Sequence, residues 1–98
     1  MTQLFAVTRS RGPAWKDDRP MEEQGEWDAH AAFMNSLVSD GFVIIGGPLE
    51  GTRDVLLAVR ADSAAAIEAR LAADPWSEME LLRLGRVAPW TLRMGTLP

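Results

Sequence analysis

The stretch EWDAHAAFMNSLVSDGFVIIGGPLEGTRDVLLAVR, Glu26–Arg60, decides the fold. Its first part places Trp27, His30, Ala31, Met34, Leu37 and Val38 at helical spacing. Gly41 follows as a stop, so a helix is predicted over Glu26–Asp40. Next comes the β-branched run Phe42-Val43-Ile44-Ile45, closed by a turn at Gly46-Gly47-Pro48, and then a second strand over Asp54–Arg60. Both strands are apolar at odd and even positions alike, so both faces of the sheet need cover.

Working outward, Leu4–Thr8 reads as a first strand that breaks at Arg9. Arg9–Gly25, with its charges, Gly12, Pro13 and Pro20, reads as a long loop. Asp62 or Ser63 caps a second helix that stops near Ala73, because Pro75 pushes Asp74 out of the helical region. Met79–Trp90 alternates apolar residues as a last strand, and residues 91–98 read as a tail. The order β-α-β-β-α-β is that of a ferredoxin-like α+β sandwich with a four-stranded antiparallel sheet and both helices on one face. Two helices cover only one face. The other is expected to meet the same face of a second copy, giving a homodimer packed sheet against sheet.

Ninety-eight residues suit one domain spanning 1–98, and 47% hydrophobic with 24% charged residues suit a packed core. A net charge of −4 opposes attraction to nucleic acid or anionic membranes. No stretch has the length to span a bilayer, and the N-terminus lacks a basic leader, so a cytoplasmic protein is expected. The absence of cysteine excludes thiolate nucleophiles and Cys-based metal sites, and a single histidine argues against zinc. The serines show no nucleophile-elbow or lysine spacing, and Gly46-Gly47-Pro48 lacks the Lys-Ser/Thr of a phosphate loop.

His30 is the one side chain that titrates ordinarily near neutrality. At ~100° per residue, Trp27, Phe33, Met34, Leu37 and Val38 fall within ~80° of it, so it points between helix and sheet. It is either a core histidine bonded to a backbone carbonyl or an imidazole at work in a cavity. Asp74, before Pro75-Trp76, is the candidate partner, though a plain Asx-turn or a loop solubiliser is the more ordinary reading of such a residue. Asp28 is a weaker candidate on the polar side of the helix. Trp76 either walls a small aromatic-lined pocket or packs in the core or a dimer contact. Arg9, Arg11, Trp15, Lys16 and Arg19 are either a solvated loop or a movable, anion-attracting cover. Trp27 and Trp90 read as packing residues.

Trp27-Asp28-Ala29-His30-Ala31-Ala32-Phe33-Met34, Asp40-Gly41-Phe42, Gly46-Gly47-Pro48-Leu49 and Asp74-Pro75-Trp76 together resemble the YCII-related family over nearly the whole chain. The resemblance implies a dimeric α/β barrel. It also implies an active site holding the helix histidine and the aspartate of Asp-Pro, which correspond to His30 and Asp74. One branch of that family is a dehydrochlorinase of a chlorinated hydroxyquinol. The sequence departs from the family in its long charged loop and in the Leu81–Gly85 stretch.

The function expected is a lyase or isomerase needing no cofactor or metal, acting on a small cyclic, enolisable or halogenated compound. His30 moves the proton and Asp74 orients it, with Trp76 and Arg11 as substrate-binding candidates. The rival readings are a small-molecule binding or sensing module and a structural dimerisation domain.

Overall fold

A computed structural model describes residues 1–97. The chain forms β1 (Gln3–Arg11), α1 (Trp27–Ser39), β2 (Val43–Pro48), β3 (Asp54–Ala61), α2 (Ala64–Ala72), a one-turn helix α3 (Pro75–Glu78) and β4 (Leu82–Pro89). The strands form one antiparallel sheet in the order β2-β3-β1-β4. The expected α+β sandwich is therefore present, with α3 added.

One sheet face carries the main core. Phe5 and Val7 from β1, Val43 from β2, and Leu57 and Val59 from β3 pack against Leu37 of α1 and against Ile67 and Leu71 of α2. Burying each large apolar side chain contributes about 1.5–3 kcal/mol. Ser63 caps α2, its hydroxyl accepting the Ala66 N–H at 3.1 Å. A second cluster of Trp15, Trp76, Leu81 and Leu82 lies beside the first.

Several expected boundaries move. β1 does not break at Arg9. It runs on to Arg11, pairing Arg9 with Val55 and Leu84. The alternation Phe5, Val7, Arg9 faces inward throughout, and a charge at an inward position resembles a loop only while its partner is unknown. Gly46-Gly47-Pro48 is not a turn but the end of β2, paired with Leu57, Leu56 and Val55; the turn follows at Leu49–Arg53. Pro48 is tolerated because β2 is an edge strand. β4 begins at Leu82 rather than Met79, since Met79 caps α3 and Glu80 adopts φ 59°. A Cβ on Gly85 would stand 2.7 Å from Thr8 Oγ1, so glycine permits the close approach at the β1–β4 bulge.

The Arg9–Gly25 loop thus shortens to residues 12–26, and it is built rather than open. Buried Gln24 accepts the Lys16 N–H at 3.0 Å and donates to the Lys16 and Arg19 carbonyls at 2.8 and 3.1 Å. Trp15, expected on either a solvated loop or a movable cover, is only 7% exposed.

On the opposite sheet face, Trp90 lies with Ile45, Leu49, Leu56 and Ala58 around a shallow groove, and its N–H bonds the Leu4 carbonyl. Trp90, expected to pack, lies against these residues and remains 38% exposed. The tail over 91–98 has no regular structure through residue 97, and Pro98 lies outside the described residues. Among the described residues no helix is long and apolar enough to cross a membrane.

Candidate active site

β1, α1 and the α2–α3 junction converge on Asp74. Pro75 is pre-set for the first turn of α3, which leaves Asp74 extended as the cap of that turn. Asp74 Oδ1 accepts the Trp76 N–H at 2.9 Å, and Oδ2 accepts the Arg9 guanidinium Nη1–H at 2.8 Å. His30 Nδ1 lies 2.9 Å from both carboxylate oxygens. Arg9 and Asp74 are 1% and 0% exposed, so a complete ion pair sits inside the protein. The second Arg9 nitrogen, Nη2, donates to Ser77 Oγ at 2.8 Å, and Ser77 donates onward to the Leu71 carbonyl at 2.8 Å.

Burial is the largest single influence on Asp74 and pushes its carboxyl up. The His30 hydrogen bond, the Trp76 amide and Arg9 together outweigh it, holding the group below its ordinary carboxylate value. Asp74 is therefore an anion at neutral pH. An anion only accepts hydrogen bonds, so Nδ1 carries the hydrogen in the His30–Asp74 contact. That leaves Nε2, which has no hydrogen-bond partner among the described residues and is not fully buried.

Aromatic packing holds the imidazole. The His30 and Trp76 rings are stacked 3.8 Å apart at 4°, with Trp27 against both. Trp15 meets Trp76 edge-on at 5.4 Å, and the Trp76 indole N–H donates to the Gly25 carbonyl. His30 opens onto a cleft of about 240 Å³, whose walls include Trp15, Met34, Val55, Leu57 and Trp76. Arg11 also lines it, its guanidinium 4.5 Å above the Trp15 ring.

His30, Asp74, Trp76 and Arg11 are thus gathered at one place. Asp28 is exposed and makes no hydrogen bond or ion pair with His30. Val38, expected on the buried side of the helix, is 52% exposed at the rim of the cleft. Arg9, expected in a loop, lies in β1, and its inward alternation with Phe5 and Val7 becomes legible only with Asp74 opposite. Among the described residues no three His, Cys, Asp or Glu side chains are grouped to hold a metal ion.

No protein-family model matches the chain, and no curated protein matches it in sequence. Among solved structures the chain is similar to the 5-chloro-2-hydroxyhydroquinone dehydrochlorinase of Burkholderia phenoliruptrix AC1100, solved in complex with 2,5-dihydroxybenzoquinone. The TM-score is 0.58 at 20% identity, over 95% of this chain and 96% of the other. The likeness is one of fold. It extends end to end, so the β-α-β-β-α-β frame is common to both chains.

Proposed function

We propose that the protein is a YCII-related, cofactor-independent lyase or isomerase in which His30 Nε2 is the general base for a small cyclic, enolisable or halogenated substrate. One observation carries the reading: Asp74 occupies Nδ1 at 2.9 Å while Nε2 is left free where His30 meets an apolar cleft. A carboxylate on Nδ1 fixes the tautomer and stabilises the imidazolium formed when Nε2 takes a proton. Positioned proton transfer supplies about 10²–10⁴-fold, sufficient for a substrate whose proton is already acidic. The cleft suits one ring, since a ~150 Å³ cavity already admits benzene.

In a dehydrochlorination of the neighbour's type, Nε2 removes a ring O–H proton and the oxygen's electrons move into the ring. The chlorine-bearing carbon takes up a proton and becomes tetrahedral. Loss of a second hydroxyl proton then drives the carbon–chlorine bond to break with its electron pair going to chloride. Two O–H protons thus leave, one C–H bond forms, the ring ends as a hydroxyquinone and the net loss is HCl. The test is chloride release from 5-chloro-2-hydroxyhydroquinone by the wild type, by His30→Asn and by Asp74→Asn. Turnover that falls at least 100-fold in a folded His30→Asn supports the reading. Full turnover in that variant removes it, and binding without turnover by the wild type favours a sensing module.

We also propose that the second sheet face is a homodimer interface. Ile45 and Leu49 are 45% and 41% exposed beside Trp90, an apolar surface that a second copy would cover. A monomeric mass by light scattering at micromolar concentration contradicts this.

A further inference from the structure

We propose that the cleft recognises a ring compound bearing an anionic oxygen, a phenolate or enolate, and that Trp15 and Arg11 receive that oxygen. The inference deepens the reading of His30 as a base and rests on it for the substrate's reaction, but not for its binding.

Three observations carry it. First, the Trp15 indole N–H is buried without a hydrogen-bond partner, on a residue 7% exposed that lines the cleft. A buried donor left unpaired is costly, and native proteins leave few of them without a ligand or water to satisfy them. Arg9 Nε is a second such donor, also on a residue lining the cleft.

Second, the cleft reverses the sign of the chain. The whole sequence carries −4, yet the lining includes two guanidinium groups and no carboxylate. Arg9 is neutralised by Asp74, which lies behind the wall. Arg11 has no carboxylate partner among the described residues and is fixed over Trp15 at 4.5 Å. The uncompensated charge at the cleft is therefore positive. A half-exposed guanidinium at the mouth of an apolar-walled site favours an anion over a neutral ring.

Third, the remaining walls, among them Val55, Leu57 and Trp76, offer a flat or aliphatic surface and suit a ring. A guanidinium held on an indole face presents its N–H groups outward, which matches a localised oxyanion better than a neutral ring.

The probes are 4-nitrophenolate and its neutral analogue nitrobenzene, titrated calorimetrically into wild type, Trp15→Phe and Arg11→Gln at a pH where the phenol is ionised. The expected result is that wild type prefers the anion by at least about tenfold. Each variant then loses about tenfold in 4-nitrophenolate affinity with nitrobenzene unchanged, the size expected for a hydrogen bond to a charged group. Equal losses for both probes, no loss in either variant, or no preference in wild type overturns the proposal. Should Trp15→Phe fold poorly, Arg11→Gln decides alone, since its side chain is half-exposed. The two readings fail separately. Anion preference persisting while His30→Asn keeps full turnover removes the base, whereas lost preference with a dead His30→Asn removes only the ligand class.

Discussion

The His30 imidazole stacks on the Trp76 indole, ring centroids 3.8 Å apart and within 4° of parallel, with Asp74 of the same Asp-Pro-Trp run gripping Nδ1. Two side chains spaced two residues apart thus set both the plane and the tautomer of the one histidine. Replacing Trp76 by Leu removes the stack and the bond to Gly25 in a residue 1% exposed. A loss of about 3–5 kcal/mol is expected, as for large aromatic truncations, read from the urea midpoint.

Removing the Asp74 charge leaves the Arg9 guanidinium buried without its counterion. Asp74→Asn is expected to cost about 3–5 kcal/mol. A double-mutant cycle with Arg9→Met should recover part of that loss, because the second change removes the stranded charge. Simple additivity of the two would contradict the ion pair's role.

The same carboxyl sets a pH dependence whose sign follows from its depressed value. Asp74 contributes stability above its unfolded value of about 3.9, and that contribution is lost as pH falls through its lower folded value. The stability gap between wild type and Asp74→Asn should therefore narrow as acid is added from about pH 5 toward about pH 2. A gap independent of pH over that range would mean that the carboxylate is not held by its neighbours.

Nitrogen-15 shifts of the single histidine report the tautomer directly. Neutral His30 should carry its proton on Nδ1 in wild type, and Asp74→Asn should admit the other tautomer. Wild-type protonation on Nε2 would leave no free base at the cleft.

Neighbouring glycines of β2 should respond unequally. An added Cβ at Gly46 would press into Leu57 Cδ2 and stand 3.1 Å from the Leu56 carbonyl, while at Gly47 it meets nothing within 4 Å. Gly46→Ala should cost about 1–3 kcal/mol and Gly47→Ala under about 1, measured side by side by thermal melts.

Much of this architecture is written locally. The helical spacing around His30, the Ser63 cap and the Asp-Pro stop of α2 need only near neighbours, and each matches an element of the fold. What stayed hidden depended on distant partners. Arg9 belongs in a strand because Asp74, 65 residues on, neutralises it. Gly46 and Gly47 extend an edge strand because Leu57 crowds one of them, and no local rule separates that from a turn. Gln24 gives the loop its shape through three bonds to the backbone, a role glutamine's composition does not announce. Of the site residues, Trp15 was visible as an aromatic in a charged loop, but its orphaned N–H exists only in three dimensions.

Arg9, His30 and Asp74 come from the beginning, the first third and the last quarter of the chain, with Asp74 65 residues from one and 44 from the other. A continuous fragment holds all three only if it runs from Arg9 through Asp74. Loops of that length close only when the intervening hydrophobic contacts form with them. The constellation is consequently a certificate of complete folding: partly assembled chains carry none of it, and loss of the His30–Asp74 contact should coincide with the global transition rather than precede it.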